Sequence, residues 1–482
     1  MSDINKIKKS IANIVKKKVN AIDEIISATI VGSFNIKNNI SSISDIDIIL
    51  IVNKLDKISF DKIIKSFKNI KGSECLLPDY TIKINSTFGP LKFNSEKNIV
   101  FHLMIYDVEG HRKHVIESPF TCYDWQLYKA TKGINLKDLY PSNALQLNDL
   151  IKSRRGLLSY IDDLEKKVIT YREYQFKNGE VSEIKKTKEI DKKHKNEYAY
   201  HVLKFLMINI LKILSQQNKI YDDKEIVLKL KKLDARFKGL ANFYTELSNW
   251  KNYQNNKVVN ITKFTELYIK QIDEWYTNLI NELPKLTILR HGKTKLNDGT
   301  FLGIYRNPDI TDKIEINTEE YDCCYTGTLK RTISTGKLLN AKKYKKNELI
   351  NEINYGDAEG LTLEGLQKKY PKLISDWSNR KDSKFPKGEN LKNVENRLTK
   401  FFNFILKEIK ANSNTVIVSH NVVIRILLKM LYKTDLSLSY LFKPAHLEPI
   451  QFRLYKKTII PELSNEQRVK FREQYIQWKK KY

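Results

Sequence analysis

The stretch Leu289-Arg290-His291-Gly292-Lys293-Thr294 directly follows a short apolar run, residues 286–289, and is answered far downstream by Val416-Ile417-Val418-Ser419-His420. Both runs read as buried strands, and ligands of open α/β sheets bind at the carboxyl ends of such strands. An Arg-His pair at one strand end and a histidine at another can build a phosphate-transferring site. Guanidinium forks neutralise phosphoryl oxygens, one imidazole attacks phosphorus, and the other supports the developing charge.

Working outward, strands alternate with helices from Leu286 onward, which predicts βαβ units and a mostly parallel sheet. Pro284 stands where the preceding helix must stop. Upstream, residues 144–171, 198–215 and 264–283 carry long helical patterns, so the middle of the chain is expected to be all-helical. Its lysine-rich piece at 177–195 has little apolar content and reads as an exposed loop or link. Residues 1–125 open with a helix and continue with apolar strands at 28–31, 46–52, 80–84 and 99–106 and a helix near 60–70. The expected organisation is a multidomain α/β protein with domains at 1–130, 131–285 and 286–482.

At 482 residues with 41% hydrophobic content, the chain can build more than one core. Apolar runs stay short of the ~20 residues needed to span a bilayer. The lysines at 6, 8, 9, 16, 17 and 18 precede no apolar stretch and no cleavage pattern, so a cytoplasmic protein is expected. Four cysteines, Cys75, Cys122, Cys323 and Cys324, are badly spaced for a disulfide framework or a zinc site. The net charge of +29 is spread along a chain rich in Lys, Asn and Ile. A solvated basic surface and a polyanion-binding face both fit it.

Five ordered motifs give residues 286 to about 460 a close resemblance to the histidine phosphatase superfamily, the phosphoglycerate-mutase-like fold. LRHGKT with Asn297 resembles the family's RHGxT opening, and TGTLKRTIST (326–335) its SxLxRAxxT segment. LINEINYGDAEG (349–360) resembles the acid-bearing loop, FPKGEN (385–390) the GES-type loop, and VSH (418–420) the second histidine. The resemblance implies a three-layer α/β domain in which His291 is the nucleophile, Arg290, Arg331 and His420 form the phosphate pocket, and Glu352 protonates the leaving oxygen. Thr294 and Asn297 would contact substrate, with no cofactor at this site. Thr328 replaces a frequent Pro, and Asn421 the Gly after the second histidine. The basic insertion of phosphoglycerate mutases is not recognisable, so hydrolysis of a phosphomonoester is expected over mutase activity.

Near the N-terminus, Gly32-Ser33 is followed by eleven residues and then Asp45-Ile46-Asp47. Strand alternation puts the two carboxylates on one face, where their repulsion is relieved by a cation such as Mg²⁺. This spacing resembles the signature of DNA polymerase β-like nucleotidyltransferases, which implies a small mixed-sheet domain followed by helices. By that resemblance Gly32 and Ser33 would bind the phosphates of a nucleoside triphosphate, and Asp45, Asp47 and a third carboxylate would bind Mg²⁺. Asp107 is the candidate for that third acid. The whole chain then reads as a bifunctional enzyme that also transfers a nucleotide to a hydroxyl of RNA or of a small metabolite. The alternative is a phosphatase whose N-terminal module binds a nucleotide or a partner without catalysis.

Overall fold

The computed structural model describes residues 2–36, 45–85, 97–142, 144–178, 180–190, 195–217, 219–253, 258–311, 319–379, 381–432 and 442–481. The chain forms two compact units, Met1–Tyr276 and Thr277–Tyr482. None of the described helices is long and apolar enough to cross a membrane.

In the first unit a mixed sheet is built from β1 (Ile25–Val31), β2 (Ile46–Val52), β3 (Thr81–Asn85), β4 (Asn98–Asp107) and β5 (Lys132–Gly133), in the order β3-β4-β2-β1-β5. β4 runs parallel to β2 and β3, while β1 is antiparallel to β2 and β5. Side-chain alternation sorts each strand by face. Ile46, Ile48, Leu50 and Val52 join Phe101, Leu103 and Ile105 in a core covered by helices Ser2–Asn20 and Lys57–Lys68, through Ile11, Val15, Ile63 and Phe67. The intervening positions, Asp47 on β2 and His102, Met104 and Tyr106 on β4, turn to the opposite face and line a cavity.

The middle of the chain is not all-helical. Helices Lys195–Ser215 and Ile261–Glu282 form as the periodicity predicts, with Asp223–Leu233 and Lys238–Tyr253 between them. The helical pattern at 144–171 holds only the short helices Asp149–Lys152 and Leu157–Glu165, and 168–189 is an antiparallel ribbon of β6 (Val168–Lys177) and β7 (Glu180–Glu189). Tyr171 therefore lies in a strand, and much of the expected lysine-rich loop is β7. Tyr174 anchors the ribbon: its ring lies 5.1 Å from that of Phe60, and its hydroxyl donates to the Ile105 carbonyl.

The second unit holds a six-stranded sheet of β8 (Lys285–Arg290), β9 (Cys323–Thr326), β10 (Tyr344–Lys346), β11 (Asn414–Ser419), β12 (Pro449–Tyr455) and β13 (Thr458–Pro461), in the order β10-β9-β11-β8-β12-β13. The first four positions are mutually parallel, as the βαβ pattern predicts, and β12 and β13 add an antiparallel edge. Ile288, Ile417 and Tyr325 meet Val394, Leu398 and Phe401 of helix Leu391–Glu408 on one face. Val416, Val418 and Cys324 pack with Leu289 and Leu339 in a separate, smaller cluster. This is an α/β domain with both sheet faces covered.

Candidate active site and candidate cation site

In the second unit the parallel register pairs Ser419 with Arg290, so the next residues along β11 and β8, His420 and His291, emerge side by side at the carboxyl ends. Their rings lie 5.1 Å apart between centroids, and both are buried. A carbonyl can only accept, so His291 Nδ1–H donates to the Gly292 carbonyl at 2.7 Å. That bond fixes the proton on Nδ1 and leaves a lone pair on Nε2. Burial, with the Arg331 guanidinium next in size, holds His291 well below the usual imidazole range, so the ring stays neutral.

His420 has the opposite tautomer. Arg331 Nε donates to its Nδ1 at 3.2 Å, so the proton sits on Nε2, which has no hydrogen-bond partner among the described residues. A donor is thus aimed at the place a phosphoryl oxygen would occupy. Gly327 keeps that space open: a Cβ there would stand 3.3 Å from His420 Nε2 and 2.6 Å from Asn351 Oδ1. Fully buried Arg331 is braced by the Gly303 carbonyl at 2.8 Å, and Arg290 by the Pro444 carbonyl at 2.9 Å.

Glu352 closes the pocket from the loop after β10. Its Oε1 accepts from the backbone N–H of Ile353 at 3.0 Å and of Val422 at 3.2 Å, at the start of helix Asn421–Tyr432. Burial raises its carboxyl above the ordinary glutamate value, against the opposing pull of Arg331. A carboxyl that holds its proton above the ordinary glutamate range suits a general acid. Arg397 holds this loop by donating to the carbonyls of Leu349, Asn351 and Glu352 and to the Glu389 carboxylate of the Gly388-Glu389-Asn390 segment. Thr294 and Asn297 bind each other, with Asn297 Oδ1 accepting from the Thr294 backbone N–H at 2.7 Å and from its hydroxyl at 3.2 Å. Arg397, Arg425, Tyr355 and His446 do not stand out in the sequence pattern. Burial lowers the Arg425 guanidinium and raises the Tyr355 phenol, the nearby Glu352 carboxylate pushing both upward, and His446 reaches the His291 backbone carbonyl. The nearest to a signal is the place of Arg397 in the helix after the acid-bearing loops.

Residues 286–460 match the family model of the histidine phosphatase superfamily (branch 1), and through them the chain belongs to that superfamily. Phosphoserine phosphatase 1 of Hydrogenobacter thermophilus is 30% identical over 169 residues, which are 32% of this chain and 79% of that protein. A 2,3-bisphosphoglycerate-dependent phosphoglycerate mutase of Cytophaga hutchinsonii is 30% identical over 168 residues, 31% of this chain and 78% of its own. The crystal structure of the alpha-ribazole phosphatase from Shigella flexneri is 20% identical, with a TM-score of 0.34 over 38% of this chain and 96% of its own.

In the first unit, Gly32 sits at φ +75°, and a Cβ on it would stand 2.5 Å from Asp47 Oδ2, so only glycine lets the turn after β1 approach that carboxylate. Ser33 begins the short helix Ser33–Ile36. Parallel pairing sets Asp47 directly beside His102, whose Nδ1 lies 2.7 Å from Asp47 Oδ1. Asp45, Asp47 and His102 each offer a ligand atom within 4.8 Å of the others. Two carboxylates and an imidazole gathered this closely could together hold a divalent cation.

Asp107 does not belong to this group. It pairs with Val52 at the other end of β2, five residues beyond His102 or roughly 17 Å along the strand. Its Oδ1 accepts from Gly110 N at 2.6 Å and caps helix Val108–Glu117. Asp107→Ala is therefore expected to cost the first unit about 1 kcal/mol as a lost N-cap. Cation affinity should stay unchanged, as read by thermal melting and Mn²⁺ titration of the same variant.

Proposed function

We propose that the second unit hydrolyses phosphomonoesters through a phosphohistidine on His291. The observation that carries the reading is the pair of opposed imidazole tautomers, one presenting a lone pair and the other an N–H to the same space. His291 Nε2 attacks phosphorus as the P–O bond to the leaving group breaks, and the departing oxygen takes the proton of Glu352. Arg290, Arg331 and His420 Nε2–H hold the equatorial oxygens. Water then attacks the phosphohistidine, gives its proton to Glu352 and releases phosphate, returning His291 to its neutral state. Every group in this cycle belongs to the chain, so turnover of p-nitrophenyl phosphate is expected to survive EDTA, with an acid-labile ³²P label on the protein. No label after rapid quenching of a working enzyme would overturn the intermediate. Among the relatives are both phosphatases and mutases. Hydrolysis is favoured because the basic insertion of the mutases is not recognisable in the sequence.

A second reading concerns the first unit. The cavity beside the cation trio has a volume of about 670 Å³, and Gly32, Ser33, Arg154, Arg155, Arg172 and Lys204 are among its walls. That size suits a small-molecule ligand, here a nucleoside triphosphate with an acceptor, better than an RNA helix. Burial, and then the neighbouring Arg154, depress the Arg172 guanidinium, a conflict that an anion would relieve. An imidazole where the third carboxylate was expected favours nucleotide binding over nucleotidyl transfer. Transfer to a hydroxyl is the fuller version, tested by incubation with each radiolabelled nucleoside triphosphate and total RNA or metabolite extract, with and without Mg²⁺. Imidazole suits Mn²⁺ better than Mg²⁺, which prefers oxygen. Mn²⁺ should thus bind about tenfold or more tightly than Mg²⁺ by paramagnetic resonance competition, and His102→Asp should narrow the gap. Equal affinities in the native protein would count against ligation by His102.

A further inference from the structure

The His291–Gly292 peptide is gripped on both edges. Its N–H donates to Thr335 Oγ1 at 2.9 Å, and Thr335 in turn donates to the Arg331 carbonyl at 2.7 Å. Its C=O accepts from His446 Nδ1 at 2.7 Å. His446 belongs to the segment leading into β12, which is fastened to the same strand end. Leu447 N donates to the Arg290 carbonyl at 3.0 Å, and Arg290 Nη1 to the Pro444 carbonyl. The rings of His446 and His291 lie 5.3 Å apart.

We propose that His446 is a positioning residue that, by hydrogen bonding the His291 carbonyl, locks the peptide on which the nucleophile's tautomer depends. The link is geometric. Rotation of that peptide moves the nitrogen of Gly292 and hence the Gly292 carbonyl, the group that accepts from His291 Nδ1. Once that acceptor drifts, the proton is free to exchange to Nε2, and the ring turns away from the line of attack. Phosphate binding rests on Arg290, Arg331 and His420, and those contacts remain. The cost falls on the phosphorylation step and not on binding.

This inference rests on His291 as nucleophile, so the experiment begins with the native full-length chain. If native protein neither hydrolyses p-nitrophenyl phosphate nor takes up acid-labile ³²P, the proposed function itself fails. Given a working enzyme, His446→Ala is expected to lower the rate of phosphoenzyme formation roughly 10- to 100-fold, the effect of a small misplacement of a reacting group. Inhibition by inorganic phosphate should be unchanged. Asn presents its amide N–H near the position of imidazole Nδ1, so His446→Asn should recover most of the rate. Three results would overturn the proposal: full turnover in the alanine variant, an asparagine variant as slow as alanine, or a phosphate affinity that falls in step with the rate. If His446→Ala does not fold, Thr335→Val loosens the opposite edge of the same peptide. It should show the same selective loss, and full phosphorylation there would equally overturn the proposal.

Discussion

His291→Ala is expected to lower p-nitrophenyl phosphate turnover by on the order of 10⁴-fold or more, because removing a covalent nucleophile leaves only binding and charge stabilisation. The neighbouring histidine cannot take over. His420 Nδ1 accepts from Arg331, which places its proton on the Nε2 that faces the pocket, so the ring has a donor where a lone pair would be needed. Fully buried Arg331 holds that tautomer from one side, and burial keeps the His420 ring neutral. The variant should still bind inorganic phosphate, since both guanidiniums and the His420 N–H remain. Its stability should fall by only about 1 kcal/mol, for the Gly292 carbonyl left without its donor. Rapid-quench labelling with a ³²P-monoester checks the assignment directly. Acid-labile label on the alanine variant, or turnover within a hundredfold of the native chain, would place the nucleophile elsewhere.

Much of this candidate site is legible in the sequence, for a physical reason. Polar side chains at strand ends follow directly on apolar runs, so Arg290, His291 and His420 stand out against the buried residues that precede them. β2 was readable in the same way, from an apolar run opened by two alternating aspartates. The ribbon at 168–189 was missed because a two-stranded arm exposes most of its side chains, and its Lys and Glu residues imitate a solvated loop. The pair Asn178-Gly179 between Tyr- and Phe-bearing residues and a Val-Ile alternation was the available signal, since that dipeptide is a strong hairpin former.

The third member of the trio in the first unit was illegible for a different reason. Alternation along β4 shows that His102 and Tyr106 share a face, but it does not say which residue of β2 each one meets. The parallel register settles that by pairing His102 with Asp47 and moving Asp107 to the far end of β2. His446 was hidden in the same sense: nothing local marks it, and it reaches the His291 carbonyl from 155 positions away. Sequence pattern reads periodicity within an element well. Register between elements, and the side chains that brace a backbone from outside, come only with the assembled sheet.

Glu352→Gln should separate substrates by their leaving groups. An alkoxide is too basic to depart unprotonated, so alkyl phosphates should lose roughly 10²- to 10⁴-fold, the span of general acid catalysis. p-Nitrophenolate departs without a proton, so its phosphorylation step should lose far less. The amide keeps the bulk of the side chain and its carbonyl acceptor for the N–H groups of Ile353 and Val422, so the fold should persist. pH makes the same distinction. Burial raises the Glu352 carboxyl and lowers His291, so the acid stays protonated and the nucleophile neutral together over a widened interval. Phosphorylation by an alkyl phosphate should therefore fall as pH climbs through the raised Glu352 value, while below the usual imidazole range His291 remains unprotonated and active. In the glutamine variant the alkaline fall should vanish along with the rate. Single-turnover phosphorylation measured against pH for an alkyl and a nitrophenyl ester decides it: equal losses for both esters would mean that Glu352 shapes the pocket and does not deliver the proton.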